Sequence, residues 1–306
     1  MDELKQILLS IAGIDKYQRV GIPHPLAWYI GRDTNARYSL FCITKTEPTA
    51  VSSSKMMSVY IGQRRDGNYG ITFSLNNNEY LDLFLHFCFD MIEFTRNIKD
   101  SNQAADHVCG RYIQWQKAFK KNNGELLSFE EIKGLLGELC FLKMKMIPEY
   151  GIDYALASWT GTEKTDQDFS CGNTWYEVKA TVSGASTVKI SSVEQLDTEN
   201  TGHLVVVTLD KTSEADMSRL TLNSMYDMVL SSIPTIVQQE SFKNRMLAYG
   251  YYLNKAYDKI GFRYNGMSFY RVDSRFPCLR KADIPASVKN AKYELSLPAI
   301  NEFKEV

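Results

Sequence analysis

Asp168-Phe169 is followed, nine residues after the acid, by Glu177-Val178-Lys179, inside the run Trp175-Tyr176-Glu177-Val178-Lys179-Ala180-Thr181. Two carboxylates and an ammonium are what magnesium-assisted hydrolysis of a phosphodiester requires: oxygen ligands for the ion and a compact cation beside the attacking water and the developing charge. If Trp175 to Val182 is extended, Trp175, Glu177, Lys179 and Thr181 share one face, leaving Tyr176, Val178, Ala180 and Val182 on an apolar one. Glu177 and Lys179 are then about 6.6 Å apart along the strand by its rise per residue. A tight turn at Ser170-Cys171-Gly172-Asn173 returns Asp168 beside them. In this reading Asp168 and Glu177 are the metal ligands and Lys179 orients or helps deprotonate the water. Asp166, two residues earlier on the same face, is an alternative first acid, and Asp168 is favoured because Phe169 can anchor the strand in a core.

The elements that must hold these groups are legible around them. Ser128 and Glu131 form a capping box, and Ile132, Leu135, Leu136, Leu139, Leu142 and Met146 make one apolar stripe before Pro148, which predicts a helix. Glu138 falls at the border of that stripe, about 90° from its centre, where it can complete the metal shell or hold one of its waters. Gly134 and Gly137 each cost about 1 kcal/mol relative to Ala in a helix, so a close neighbour is expected on that side. After the hairpin, Ile190 to Leu196 reads as a capped helix start from which Gln195 can position the site. His203 to Leu209 reads as a strand covered on both faces. Two helices are expected next, about Ser213 to Ser231 with a Ser213/Asp216 cap and Thr235 to Ala256, then short strands with turns at Asn265-Gly266 and Phe276-Pro277. The order helix, hairpin, strand, helix, strand predicts an α/β (α+β) core of mixed sheet flanked by helices, with carboxy-terminal helices plus short strands.

The first 75 residues read differently. Leu26 to Gly31, Tyr38 to Thr44, Ser58 to Gly62 and Gly70 to Leu75 are short apolar runs between turn residues and predict an antiparallel sheet. Helical spacing follows over Tyr80 to Asn97 and Gln103 to Phe119. Lys120-Lys121-Asn122-Asn123-Gly124 is the candidate linker, giving a β-rich then helical region 1–122 and a second domain 123–306 with a basic, aromatic extension.

The chain of 306 residues is 44% hydrophobic, enough for a large core, and its six cysteines stand singly, with neither disulfide nor zinc spacing. No apolar run suits a membrane span and Met1-Asp2-Glu3-Leu4-Lys5 does not read as a signal peptide, so a cytoplasmic protein without membrane contact is expected. A net charge of −1 gives no global attraction to nucleic acid. Between Ser241 and Lys292, however, eleven Lys or Arg face three Asp, and ten Phe or Tyr interleave with them. Arg271, Arg275, Arg280 and Lys281 are candidate DNA-backbone contacts there, and a solvated basic edge would read the same way.

Asp168, Glu177-Val178-Lys179, the preceding helix with Gly137-Glu138 and the following Gln195 together resemble the PD-(D/E)XK nuclease superfamily. Gly137-Glu138-Leu139, Trp159-Thr160-Gly161, Asp168-Phe169, Glu177 to Thr181, Ser192 to Leu196, Phe276-Pro277 and Tyr293 to Leu297 look like one bacterial branch of it, found in restriction-like phage-defence clusters beside an ATPase. The resemblance covers roughly residues 125 to 300, and Gln167 replaces the proline of the superfamily's name. It implies a restriction-endonuclease-like core, magnesium (Mg2+, with Mn2+ able to substitute) held by Asp168, Glu177 and Glu138, catalysis by Asp168, Glu177, Lys179, Glu138 and Gln195, and cleavage of DNA. The implied partners are DNA and an ATPase or other defence subunits, with a homodimer expected if both strands are cut. The competing expectation is a catalytically silent DNA-binding or assembly subunit that kept the fold.

Overall fold

A computed structural model describes residues 2–98, 100, 103–122, 125–161 and 166–305, without the side chains of 120–122. Asn123 and Gly124 of the expected linker lie outside the described residues. The chain divides into two compact units, the first made of Met1–Leu126 with Met246–Tyr252 and the second of Leu127–Arg245 with Leu253–Val306.

In the first unit a short helix α1 (Asp2–Ser10) precedes five strands: β1 (Lys16–Val20), β2 (Ala27–Arg32), β3 (Tyr38–Thr44), β4 (Met57–Gln63) and β5 (Tyr69–Leu75). All pair antiparallel, in the order β1-β2-β3-β5-β4. Helices α2 (Leu81–Phe94) and α3 (Ala104–Asn122) follow. Alternation decides which sheet face is covered. Trp28, Ile30, Leu40, Cys42, Ile71 and Phe73 pack with Phe84, Phe87 and Met91 of α2 and with Val108, Tyr112 and Trp115 of α3. The two helices are tied by Asp90, which takes the Arg111 guanidinium through both oxygens at 2.7 Å and the Trp115 indole N–H at 2.7 Å. Two elements go beyond the sequence reading. Strand β1 buries only Val20 and α1 only Leu4 and Leu8, so neither writes a strong periodic signal.

The second unit begins with α4 (Phe129–Phe141), capped by Ser128 and Glu131 as the sequence predicts, and continues through a π-helical segment, Leu142–Met146, into α5 (Ile147–Tyr150) and then α6 (Ile152–Ser158). The hairpin follows, β6 (Phe169–Cys171) and β7 (Thr174–Thr181), turning at Gly172, whose φ of 64° suits a glycine. Next come β8 (Thr187–Ile190), β9 (Gly202–Thr212), β10 (Leu220–Thr221), α7 (Leu222–Ser231), α8 (Ile236–Ala248), β11 (Gly261–Val272), β12 (Tyr293–Ser296) and β13 (Lys304–Glu305). The main sheet runs β10-β11-β9-β7-β6, with β13 also on β11; β7 and β9 are parallel and the other pairs antiparallel. Strands β8 and β12 form a separate ribbon. This is the mixed α/β core of the sequence reading.

Four local expectations are corrected. Ile190 to Leu196 is the end of β8 and a single 3-10 turn, Val193–Gln195, without a side-chain cap, so no helix forms there. Ser213 and Asp216 cap no helix: Asp216 closes a turn by accepting Ser218 N–H and the Arg263 guanidinium, and α7 starts later, capped by Thr221 with Ser224. Helix α8 ends at Ala248 instead of Ala256. Asn265-Gly266 is a bulge within β11, where the register shifts between Tyr264 and Met267 and Gly266 adopts φ 101°, and the strand runs on through it.

Candidate active site

Strand β7 carries Glu177 and Lys179 on one face, and β9 beside it brings Leu204 and Val206 into register with them. That face is not purely chemical. Trp175, Leu204, Val206, Tyr270 and Val272 lie under a roof of Val188, Ile190, Leu196 and Leu295, so both faces of β7 are covered. The reason is the ribbon β8–β12 and the turn after it, which close over the sheet where sequence alternation alone suggests solvent. Glu177 is consequently 1% exposed. On the opposite face α4 comes close: a Cβ on Gly137 would stand 3.1 Å from the Ala180 methyl, while nothing lies within 4 Å of one on Gly134. The close neighbour expected for both glycines exists for Gly137 alone.

Three of the sequence-predicted side chains form a closed ring. Lys179 Nζ is 2.6 Å from Glu177 Oε1 and donates to Gln195 Oε1 at 3.1 Å, while Gln195 Nε2 donates to Glu177 Oε1 at 2.6 Å. Gln195 is itself fixed by the Ser191 N–H, which donates to its Oε1 at 2.7 Å. Asp168 sits just before β6 begins, and there its Oδ2 accepts the Val178 N–H at 2.8 Å, taking the place of the missing ladder partner. Asp166 is exposed, whereas Asp168 is half-buried. Gln167, in the proline's position, donates its amide to the Glu194 carbonyl at 2.9 Å and thereby ties the first acid's segment to the turn that carries Gln195.

Glu138 is buried on α4, and its Oε2 accepts the Trp159 indole N–H at 2.7 Å. Its negative charge still reaches Glu177. Burial, then Asp168, push the Glu177 carboxyl well above the usual carboxylate range; Lys179 pulls it back, and Glu138 adds a further upward push. Burial also raises Asp168, against the opposing pull of Lys179 and the Val178 N–H. Two neighbouring acids thus share a poorly solvated place, the condition a divalent cation relieves.

Glu177 Oε2 is buried without a hydrogen-bond partner. Such an atom costs about 1–3 kcal/mol, and together with the adjacent Asp168 it fits a magnesium ion, which needs only one or two carboxylates and keeps several waters. Among the described residues no three His, Cys, Asp or Glu side chains gather into a ready-made cage. The two acids offer carboxylate oxygens alone, which suit an oxygen-seeking ion rather than zinc. All six cysteines are free.

The basic residues singled out late in the chain are each paired. Arg271 and Arg275 flank Asp273 at 3.7 and 3.2 Å, and Lys281 lies 3.3 Å from Glu194. Arg280 bonds Asp197 and the carbonyls of Asp273 and Ser274, so its guanidinium holds its own loop together. The roles of Ser191, Trp159 and Gln167 escape a sequence reading, because each depends on a partner from another element.

Fold and site define a PD-(D/E)XK protein: a mixed sheet in which an acid and a Glu-Val-Lys strand converge beside a capped helix. The chain belongs to the family DUF4420, described as "Putative PD-(D/E)XK family member", whose model matches residues 9–298. That span extends the relationship beyond residues 125–300 and takes in most of the first unit. No curated protein and no solved structure matches the chain. PD-(D/E)XK proteins are generally nucleases that use divalent metals. Among the described residues no helix is long and apolar enough to cross a membrane.

Proposed function

We propose that the protein is a magnesium-dependent DNA endonuclease serving a restriction-like or phage-defence system. The observation that carries this reading is the buried, unpartnered Glu177 Oε2 beside Asp168 and Lys179. Bound magnesium supplies Lewis acidity at the phosphate and a nucleophile at neutral pH. Asp168 and Glu177 are the residues that would hold it. Lys179, steadied by Gln195, presents its ammonium to the phosphate oxygens and to the attacking water, and Glu138, fixed by Trp159, adds negative charge from the helix side. DNA is the substrate this reading assigns, cytoplasmic DNA the setting, and a second protomer the means of cutting both strands.

The test is incubation of the purified chain with supercoiled plasmid and Mg2+ or Mn2+. Cutting is expected, and Lys179→Ala is expected to lower it at least 100-fold while DNA binding persists. Undiminished cutting by that variant removes Lys179 from the mechanism. A second reading, a silent DNA-binding or assembly subunit beside an ATPase, draws on the absence of a three-carboxylate cluster among the described residues. It predicts DNA binding without calorimetric uptake of Mg2+ or Mn2+.

A further inference from the structure

The five-stranded sheet of the first unit has a second face, and it is built unlike the covered one. Strand register sets Arg19 opposite Tyr29, Tyr29 opposite Phe41, Phe41 opposite Thr72 and Thr72 opposite Tyr60, one row across all five strands. Tyr17 lies in the next row, its ring 5.8 Å from that of Phe41, and the Tyr29 ring is also 5.8 Å from Phe41. Of the residues that alternate with these, Val20, Trp28, Ile30, Leu40, Cys42, Ile71 and Phe73 are buried in the core with α2 and α3, whereas Tyr17, Tyr29 and Phe41 are half-buried and Arg19 and Tyr60 exposed, Tyr60 to 71%.

Two facing glycines let the rings lie down on the sheet. Gly62 pairs with Gly70. The space a Cβ on Gly70 would need is taken by the Phe41 ring at 2.7 Å, and that of Gly62 by the Tyr60 ring at 2.9 Å. A ring lying along the sheet covers bare glycine backbone with one face and turns the other outward. Shielding of glycine accounts for Phe41 and Tyr60; it leaves Tyr29 and Arg19 unexplained.

Charge supplies the rest. Residues 16–75 carry eight Lys or Arg against three Asp or Glu, in a chain whose net charge is −1. Arg64, exposed and paired with Asp66 at 3.2 Å, holds its guanidinium 5.8 Å from the Phe41 ring centre, and Arg19 ends the row on the opposite edge. Outward π-faces in a row, bordered by guanidinium groups, suit unpaired bases stacked above a phosphate backbone; a duplex keeps its base faces inside and offers nothing to such rings.

We propose that the open face of the amino-terminal sheet binds single-stranded DNA, with Tyr29, Phe41 and Tyr60 stacking bases and Arg19 and Arg64 contacting phosphates. The proposal goes beyond the nuclease reading and concerns a different surface. Its test uses the full chain in EDTA, so that cutting plays no part, with fluorescence anisotropy of a labelled oligothymidylate of about twenty nucleotides and of a duplex of equal length. The single strand is expected to bind the more tightly. Tyr29→Ala and Tyr60→Ala are each expected to weaken it about 10-fold. Arg19→Ala should reduce the slope of log affinity against log salt by about 0.7. Lys179→Ala should bind the oligonucleotide like the parent chain, and a parent chain that binds the oligonucleotide but cuts no plasmid with Mg2+ or Mn2+ counts against the nuclease reading alone. Equal or tighter duplex binding, no binding at all, or unchanged affinity in Tyr60→Ala and Arg19→Ala with parental thermal unfolding overturns the proposal. Tyr60 and Arg19 are exposed, so these two variants decide the matter even where Tyr29→Ala fails to fold.

Discussion

Glu177 has a cost before it has a use. In the folded chain its carboxyl holds a proton to higher pH than the ordinary value of 4.5, so folding takes up protons in the window above 4.5 and the stability tied to that uptake is lost as pH rises. Glu177→Gln removes the titration while keeping the shape. In EDTA the variant is expected to gain on the parent chain by up to about 1.4 kcal/mol per pH unit as the pH rises above 4.5, measured by calorimetry. A gap that stays constant with pH would mean that Lys179 keeps Glu177 ionised throughout. Added Mg2+ is expected to raise the melting temperature of the parent and not of Glu177→Gln. At this scale much of the site was legible: spacing by two placed Glu177 and Lys179 on one face, and the turn at Gly172 returned Asp168. What stayed hidden was the support. The Trp159 bond to Glu138 and the Gln195 ring join residues 16 to 21 positions apart whose meeting depends on the finished sheet.

Helix α4 is where local sequence and tertiary demand part company. Gly137 faces the Ala180 methyl and Gly134 faces open space, so the two glycines should answer substitution in opposite directions. Gly134→Ala is expected to stabilise by about 1 kcal/mol. Gly137→Val should destabilise by about 1–3 kcal/mol, because the added methyls meet β7 backbone and side chain at once; thermal unfolding of both variants checks the pair. A Gly137→Val protein as stable as the parent would show that α4 can retreat from the strand. Capping residues and strong periodicity made α4, β3 and β9 readable in sequence. The segment after β8 misled, because Ser192 sits in an extended conformation and its side chain caps nothing, so the chain makes one 3-10 turn and stops. Ser213 and Asp216 mimicked a cap in the same way, although Asp216 serves Ser218 and Arg263.

Across the whole molecule the chain order and the packing order differ. Helix α8 leaves the second unit after Arg245, and Met246–Tyr252 belong with the first, where Leu247 is part of the buried core. A fragment of residues 127–306 would carry that core segment without its core. It is expected to be markedly less soluble than the full chain and to regain solubility when Leu247 and Tyr252 are replaced by Ser, as sedimentation of the expressed fragments would show. Periodicity gave no warning of this exchange, since a helix spells its pattern the same way whichever unit it serves. The consequence reaches back to synthesis. A ribosome that has released the first 126 residues has not yet delivered the piece that finishes their core, so the amino-terminal part must wait, incompletely closed, for another 120 or so residues of its neighbour to emerge. For a protein proposed to cut DNA, the delay makes assembly nearly simultaneous: neither part matures long before the other.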